Sequence, residues 1–298
     1  MLRCQVWAGP TMKDSKNLQP KVAVMVLNWN RLEETSACCR SLSKLDYPRF
    51  DICVVDNGST AHSIEALERA CPGAAVLRLS ENRGFAGGVN AGIRAALERS
   101  GYEYIWLLNN DALCDSNALS RMVDVAAASR ECAIVGCLIK EGVGGSYQKI
   151  YSGMRLQAPL YLPFEAKADE LFDYISGASM LIKCTALEQI GLLDEGFFFF
   201  FEDVDFCLRA VKQGWKIGLA KNAMIYHEGS ATIGKLSGLR AMYYRAGHVR
   251  LLRKHVKHPF WPAFLCLNWR LVNDLLRGQW ASIRGSLKGW RQGWTSSL

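Results

Sequence analysis

The sequence lacks the usual marks of a zinc-finger, secreted or membrane-spanning protein. None of its eleven cysteines forms a C-x-x-C pair, and several lie inside apolar runs such as residues 52–55. This favours reduced, buried thiols in a cytoplasmic protein over a disulfide framework or a zinc site. No apolar segment opens the chain and none runs for about 18 residues, so we expect neither a secretory signal nor a transmembrane helix.

Acidic residues are almost missing from the last sixty positions. From Leu239 onward there are eleven Lys or Arg against one acid, Asp274, giving +10, whereas the remainder holds 25 basic and 27 acidic residues, or −2. Such a tail is compatible with nucleic acid, but it contains no recognised nucleic-acid module. Tryptophans interleaved with the cations favour a membrane surface. We therefore expect no nucleic-acid partner.

The pattern within this tail predicts helices. Apolar residues recur at three- and four-residue steps from Leu239 to Val249, as in an amphipathic helix. Aromatic rings settle at the headgroup level of a bilayer, and cations are attracted to anionic lipid. We expect the following residues to hold the tail on such a surface: Arg250, Arg253, Lys254, Lys257, Phe260, Trp261, Phe264, Trp269, Arg270, Arg277, Trp280, Arg284, Lys288, Trp290, Arg291 and Trp294. The alternative is a homodimer in which Gly285, Gly289 and Gly293 let two helices pack closely.

Before the tail, β-branched apolar runs alternate with helical patterns. Strands are predicted at 21–28, 51–56, 75–79, 104–108 and 133–139, and helices at 30–44 and 84–100. This spacing predicts an α/β fold with a parallel sheet and right-handed crossovers. Residues 1–20 are expected to form a loose arm, and the Gly- and Tyr-rich stretch 142–163 an irregular loop.

Polar side chains follow the strand at 104–108. Asn109, Asn110 and Asp111 come directly after it, and ligands of open α/β sheets collect beyond the carboxyl ends of strands. An Asn-x-Asp pair offers oxygens to a hard divalent cation that would also bind diphosphate. The alternative is an ordinary Asn/Asp turn.

Two other strand ends carry candidate ligand-binding residues. Asp56 ends the second strand, where its carboxylate could accept hydrogen bonds from a base or ribose; an Asx turn is the alternative. The glycines at 84–92 do not spell G-x-G-x-x-G, which weakens a dinucleotide interpretation. Asn82, Arg83 and Asn90 around them are candidate polar contacts, and close helix packing is the alternative role of the glycines.

Three acids follow five consecutive phenylalanines, residues 197–201. Glu202, Asp203 and Asp205 fall in the first turn of a predicted helix, where acids also complement the helix dipole. An apolar wall raises the pKa of a carboxyl group, as a general base requires. The predicted strand at 223–226 then delivers His227, although a single histidine is more often structural than a ligand.

Taken in order, these segments resemble an inverting glycosyltransferase of family 2 with the GT-A fold. Within that family they look most like bacterial rhamnosyltransferase-type members that build cell-surface polysaccharides. The resemblance implies a Rossmann-like, mostly parallel sheet flanked by helices, with a nucleotide-binding half at about 21–111, an acceptor half at about 112–238 and a helical extension at 239–298. It is carried by VMVLNWNR (24–31), VVDNGS (54–59), ENRGFAGGVNAG (81–92), WLLNND (106–111), SGASMLIK (176–183), FEDVDFCLRAVKQG (201–214) and IYHEGSAT (225–232).

The resemblance also implies roles for individual residues. Asp111 would bind Mg²⁺ or Mn²⁺ on the donor diphosphate with His227 as a further ligand, and Asn109 stands where the family usually has the first Asp of its D-x-D motif. Asp203 would be the general base with Glu202 as its companion. The donor-binding set is Asn28, Asn30, Asp56, Asn82, Arg83, Gly87, Asn90, Asn109, Asn110 and Gly177.

The implied reaction moves a sugar from dTDP-rhamnose or a UDP-sugar to a hydroxyl of a lipid-linked or polysaccharide acceptor, with inversion. We expect the enzyme at the inner face of the cell membrane. One alternative is a sugar-phosphate nucleotidyltransferase, which would usually carry a Gly-rich, basic loop where this chain has residues 28–31. A second alternative, an inactive relative, is opposed by Asp111, Asp203 and His227.

Overall fold

The structure is a computed structural model that describes residues 19–143, 146–151, 153–166, 172–227 and 237–298. The predicted N-terminal arm therefore lies almost wholly outside the described residues, as does most of the last motif, after His227.

The first half of the chain forms a parallel sheet with helical crossovers. Four strands lie in the order β3-β2-β1-β4, all parallel to their neighbours. Continuous apolar runs form these strands because helices cover both faces of the sheet. The elements are β1 (Val22–Asn28), α1 (Leu32–Leu42), β2 (Phe50–Asp56), α2 (Ile64–Ala70), β3 (Ala75–Arg78), α3 (Gly84–Arg99) and β4 (Tyr104–Asn109).

The second half extends the same sheet with mixed strand directions. Its elements are β5 (Ala112–Cys114), α4 (Ala118–Ala127), β6 (Cys132–Val143), β7 (Ser146–Tyr151), β8 (Met154–Gln157), β9 (Leu162–Glu165), β10 (Ser179–Lys183), α5 (Cys184–Ile190), α6 (Glu202–Lys212) and β11 (Lys216–His227). Beyond β4 the order is β10-β6-β11-β5. β10 runs antiparallel to both β4 and β6, whereas β6 and β11 are parallel. The predicted α/β class is confirmed, and the antiparallel pairs of this sheet are those made by β10, β5 and β7.

The stretch predicted as an irregular loop, 142–163, is largely β structure. β7 pairs with β6, and β8 pairs with β9 as a separate two-stranded ribbon. The prediction was wrong because the strands are short and the glycines and prolines among them resemble loop composition. Pro163 is tolerated in β9 because a two-stranded ribbon leaves one backbone edge without ladder partners.

The core has two layers, one on each face of the sheet. Along β4, Tyr104, Trp106 and Leu108 pack into one layer, and Ile105 and Leu107 into the other. This alternation follows from the two-residue period of a strand. Both layers are apolar, so polar side chains concentrate beyond the strand ends.

The C-terminal tail forms three helices, α7 (Ser237–His255), α8 (Phe260–Leu276) and α9 (Trp280–Thr295). A Cβ placed on Gly285 would lie 2.0 Å from the carbonyl oxygen of Gly238, and one on Gly289 would lie 2.1 Å from that of Met242. The glycines thus let α9 pack directly on α7, in a parallel direction. They do not form a free surface for a second copy, which corrects the dimer hypothesis that we based on them.

Helix α7 turns its apolar side toward its own domain. Met242 and Val249 are buried. Arg250 and Lys254 make ion pairs with Asp194, and Arg253 donates to backbone carbonyls at the end of α9. The prediction that these three cations face lipid is therefore wrong. Among the described helices, none is long and apolar enough to cross a bilayer.

Candidate active site

A single large cleft opens at the carboxyl ends of β1, β2 and β4. It has a volume of about 460 Å³. Residues from the phenylalanine segment 198–201 and from α7 close its other side. The predicted site residues that line it are Asn82, Asn109, Asn110, Asp111, Gly177, Glu202, Asp203 and His227.

At one end of the cleft, a carboxylate and an imidazole converge. β5 pairs with β11 so that Ala112 lies opposite His227, which brings His227 beside the turn after β4. Nε2 of His227 lies 3.1 Å from Oδ1 of Asp111 and 3.1 Å from Nδ2 of Asn109. Oδ1 of Asp111 is buried, yet it accepts no hydrogen bond from the described residues. An oxygen and a nitrogen ligand at this spacing fit a divalent cation.

The protein alone does not complete a metal site there. Within the described ranges, no group of three or more His, Cys, Asp or Glu is arranged to hold a metal ion. Mg²⁺ and similar cations are often held by one or two protein ligands together with substrate phosphates and water.

Asn110 helps to fix the turn after β4, because its Nδ2 donates to Oγ1 of Thr35 over 2.9 Å.

Asp56 lies in a buried polar cluster behind the cleft lining. Nδ2 of Asn28 donates to its Oδ1 over 3.0 Å, and Nε of Arg78 lies 3.3 Å from its Oδ2. Asn30, at a positive φ of 55°, accepts hydrogen bonds from the backbone of Thr60 and Ala61. The structure thus groups Asn28, Asn30 and Asp56 as a frame for the loop after β2, and none of the three lines the cleft.

Asn57 lies in the cleft itself and was missed in the sequence. Its Nδ2 donates to Oδ1 of Asn82 and to the carbonyl of Gly84, and its Oδ1 accepts from the backbone of Arg83. It therefore ties the end of β2 to the start of α3. Its position directly after Asp56 at a strand end was the available signal.

The other predicted residues of this region lie outside the cleft lining. Arg83 pairs with Glu195, and Gly87 is buried against the Cβ of Arg83. Asn90 is buried in α3. Its Nδ2 donates to the carbonyl of Leu193 and to the carboxylate of Glu195, and its Oδ1 accepts from the backbone N–H of Leu193. These contacts position the turn before the phenylalanine segment, so we carry neither Gly87 nor Asn90 into a donor-binding role.

Two acids at the start of α6 also line the cleft. Oδ2 of Asp203 accepts from the backbone N–H of Gly177 over 2.9 Å, and Oδ1 accepts from that of Val204 over 2.8 Å. Burial raises the pKa of Asp203 above its ordinary value, and these two hydrogen bonds oppose the rise. Burial and the neighbouring Asp203 charge raise the pKa of Glu202 well above its usual range. Two neighbouring carboxyl groups with raised pKa values, one of them oriented by backbone hydrogen bonds, therefore face the cleft.

The third acid, Asp205, has a different environment. It is fully buried and bonded to Arg209 and His255, with Lys254 2.7 Å away. Burial opposes its ionisation, but the His255 hydrogen bond and the Arg209 and Lys254 charges outweigh burial and lower its pKa. Because Asp205 does not reach the cleft, it has a structural role.

The phenylalanine segment is strained. Phe200 and Phe201 both have φ of 73°, a conformation that costs non-glycine residues about 1–3 kcal/mol each. The carbonyl of Phe198 accepts from the backbone of Phe85, and a Cβ on Gly84 would lie 2.3 Å from that oxygen. Gly84 therefore allows the two segments to meet beside the cleft. Strained backbone of this kind concentrates at functional sites.

Helix α7 supplies the aromatic support of this segment. Tyr243 stacks on Phe198 with ring centroids 4.6 Å apart, and Tyr244 packs edge-on against Phe201 at 4.9 Å. Both tyrosines line the cleft, together with Leu239. We had predicted α7 as part of a separate surface-binding tail; in the structure it also completes the cleft wall.

Comparison with known proteins places this site in a family. The family model described as "Glycosyl transferase family 2" matches residues 23–191, more than half of the chain. The matched range includes every cleft strand end up to β10 and stops before α6. The predicted family is confirmed.

Three similar proteins extend the match. The chain is 24% identical over 295 residues to an N-acetylglucosaminyl-diphospho-decaprenol L-rhamnosyltransferase of Mycobacterium tuberculosis, covering 90% of this chain and 94% of that protein. It is 24% identical over 214 residues to a low-salt glycan biosynthesis hexosyltransferase of Haloferax volcanii, with 70% and 67% covered. A mannosyltransferase of Pyrobaculum calidifontis, solved with GDP-mannose and Mn²⁺, shares the fold at a TM-score of 0.57 and 17% identity, covering 94% of this chain and 77% of that one. The GT-A fold is confirmed.

Proposed function

The chain belongs to glycosyl transferase family 2, and from that premise we propose that it transfers a sugar from a nucleoside diphosphate sugar to an acceptor hydroxyl with inversion. It is a glycosyltransferase of glycan or polysaccharide synthesis. One observation carries the finer proposal. One cleft is lined both by the Asp111–His227 pair and by the oriented side chain of Asp203. The nucleotidyltransferase alternative is not favoured.

Asp203 is the general base of this proposal. Its carboxylate is held by two backbone N–H groups, so one oxygen can be directed at an acceptor hydroxyl without reorganisation. Removing the proton as the hydroxyl attacks the anomeric carbon gives a single in-line displacement, which inverts the configuration. Burial and the neighbouring Asp203 charge raise the pKa of Glu202, which disfavours a second negative charge beside Asp203.

Asp111 and His227 would hold a divalent cation, Mg²⁺ or Mn²⁺, with Asn109 next to them. When bound, the cation supplies charge stabilisation to the departing nucleoside diphosphate. The buried Oδ1 of Asp111, which accepts no hydrogen bond from the described residues, supports this role. Asn109 offers an amide oxygen, which is a weaker ligand than a carboxylate. The Asn57 and Asn82 amides lie along the cleft where a nucleotide would extend.

We further propose dTDP-rhamnose or a UDP-sugar as the donor and a lipid-linked glycan as the acceptor, used at the cytoplasmic face of a membrane. The support is the similarity to the Mycobacterium relative, an N-acetylglucosaminyl-diphospho-decaprenol L-rhamnosyltransferase that aligns over 94% of its length. The aromatic wall formed by Phe198, Tyr243 and Tyr244 is also suited to a substrate with apolar parts.

Thermal stabilisation by nucleotide sugars tests the donor site, since a ligand that binds the folded chain raises its unfolding temperature. We expect UDP- or dTDP-sugars to stabilise the wild type in Mn²⁺ and to have little effect in EDTA. Asp111→Ala should lose the Mn²⁺-dependent shift. Asp124→Ala, in the exposed part of α4, is the matched control and should keep it. An equal shift in EDTA and in Mn²⁺ would overturn the metal assignment.

A further inference from the structure

Helix α8 presents large apolar side chains to solvent. Trp261, Leu265, Trp269, Val272 and Leu276 recur at three- and four-residue steps and are 56–81% exposed. The opposite side of the same helix, which faces the protein, carries the smaller Pro262, Ala263 and Cys266. Soluble monomers rarely expose an apolar stripe of this extent unless it binds something. We name residues 261, 265, 269, 272 and 276, with Trp280 at the start of α9, the α8 face.

The surroundings of the α8 face are cationic. Arg277 follows α8, and Arg284, Lys288 and Arg291 are exposed along α9. The single acid of the last sixty residues, Asp274, is fully buried, where Arg270 and Ser282 bond it. No acidic side chain among residues 239–298 therefore opposes this positive charge. An apolar stripe carrying three tryptophans beside cations complements an anionic bilayer surface.

The α8 face continues toward the mouth of the cleft. A Cβ on Gly238 would lie 3.0 Å from the carbonyl oxygen of Ala281, so the start of α9 adjoins the start of α7. Trp280, 62% exposed, directly precedes Ala281, and Leu239, 44% exposed, directly follows Gly238 and lines the cleft. Exposed apolar residues therefore flank the contact between α7 and α9, and one of them, Leu239, belongs to the cleft wall.

We propose that the α8 face lies in the headgroup region of an anionic membrane and places the cleft mouth at the bilayer surface. This proposal rests on the function proposed above. With the cleft mouth at the bilayer surface, the lipid of a lipid-linked acceptor can stay in the bilayer while its sugar reaches Asp203. A second copy of the chain is the competing occupant. The cations disfavour it, because a two-fold contact through this face would bring like charges together.

Flotation with liposomes tests the proposal without relying on catalysis. We expect the full-length chain to float with phosphatidylglycerol-containing vesicles and far less with phosphatidylcholine vesicles. Replacing Trp261, Leu265, Trp269 and Leu276 by Gln should lower partition by about tenfold or more, since the apolar contact is lost. Val211→Gln, at an apolar position on α6 that is 51% exposed, is the matched control and should float like the wild type.

A second variant tests the charge contribution, and we expect it to keep the fold because its four positions are exposed. Replacing Arg277, Arg284, Lys288 and Arg291 by Gln should reduce binding to anionic vesicles by about fivefold for each cation that reaches the surface. The unfolding temperature of each variant checks that it is folded. The shift in that temperature on adding UDP or dTDP with Mn²⁺ checks that its nucleotide site is intact. If UDP and dTDP do not raise the unfolding temperature of the wild type, the proposed function is rejected. The flotation result would still test the membrane proposal.

Three results would overturn the membrane proposal. They are no flotation of the wild type, equal flotation of the α8 variant and the wild type, or a wild-type dimer that the α8 substitutions dissociate without any vesicle binding.

Discussion

Two carboxyl groups on α6, Asp203 and Asp205, show how burial alone does not decide a pKa. Burial raises the pKa of both, yet the net shift is upward for Asp203 and downward for Asp205. Among the described residues, Asp203 accepts hydrogen bonds from backbone N–H groups, whereas Asp205 contacts an arginine, a lysine and a histidine. A raised pKa suits proton abstraction, and a lowered pKa suits a permanent ion pair.

The pH profile of transfer should report the Asp203 environment. A general base works only when deprotonated, so kcat/KM should fall as pH drops through the pKa of Asp203. Because burial raises that pKa, the acidic limb should lie above about 3.9, the ordinary aspartate value. The measurement is kcat/KM from about pH 4 to about pH 8. A flat profile down to the ordinary value would contradict the assignment of Asp203 as a buried base.

Individual site residues were predictable where a strand end or motif marked them. Asp111, Asp203 and His227 follow or adjoin such marks, and the structure gathers all three at one cleft. Tyr243 was assigned to a surface helix instead, because its contact with Phe198 joins residues 45 positions apart. No local pattern encodes a contact of that range.

At the scale of elements, an ion-pair cluster fixes α7 to α6 and to the turn before the phenylalanine segment. Asp205 bonds His255 and Lys254 of α7, and Asp194 bonds Arg250 and Lys254. The cluster thus positions Tyr243 and Tyr244 over the strained phenylalanines. Removing one partner from a buried ion pair leaves an uncompensated charge and destabilises the fold.

Asp205→Asn should lower the free energy of unfolding by about 3 kcal/mol, the low end for a broken buried pair, because Arg209, Lys254 and His255 keep partial access to water. The pKa of Asp205 is lower in the folded than in the unfolded chain. Its stabilisation is therefore present above about pH 3.9 and lost as pH falls below that value.

Denaturant unfolding at neutral and acidic pH measures both effects. Glu98→Gln, at an exposed position on α3, is the control and should change stability little. The cluster would have no such role if Asp205→Asn matched the wild type at neutral pH.

The contact between α7 and α9 depends on glycines of α9, which have no side chain to keep the two backbones apart. Gly289→Ala would gain about 1 kcal/mol of helix propensity, but its Cβ would lie 2.1 Å from a backbone oxygen that no rotamer change can move. Overpacking of this kind costs about 1–3 kcal/mol, and we expect the upper end. The net loss in free energy of unfolding should be about 2 kcal/mol, measured by denaturant titration.

A control on the same helix separates the effect of alanine on helix propensity from its effect on the packing of α9 against α7. Gln292→Ala, at an exposed position of α9, should be neutral or slightly stabilising. A stabilised Gly289→Ala variant would show that α9 does not pack on α7 in this way.

Elements with strong periodicity were predictable, whereas their partners were not. The run at 21–28 gave β1 and the glycine-rich segment gave α3 nearly to the residue. The same glycine spacing in α9 predicted close helix packing but not whether the partner was α7 or another copy. Partner choice depends on the path of the chain between α7 and α9, which the spacing of three glycines does not contain.

At the scale of the whole molecule, the tail joins the cleft to the α8 face. α7 lines the cleft, α9 packs along α7, and α8 carries the exposed apolar stripe. The family model ends at residue 191, but the Mycobacterium relative aligns over 295 residues. Composition located the basic, aromatic tail correctly. The prediction from composition included α7 in the membrane-binding surface, which is wrong because the cations Arg250, Arg253 and Lys254 of α7 bind groups within the protein.

The most direct measurement of the central claim is sugar transfer by Asp203→Asn. The wild type and the variant are compared with a stabilising nucleotide sugar, Mn²⁺ and a lipid-linked acceptor in vesicles, and thermal shift confirms that both bind donor equally. Asparagine keeps the shape of the side chain but removes the proton acceptor. We predict that the turnover of the variant falls by about 10²- to 10⁴-fold, the usual contribution of a general base. Turnover near the wild-type rate, with donor binding intact, would contradict the role of Asp203 and the mechanism built on it.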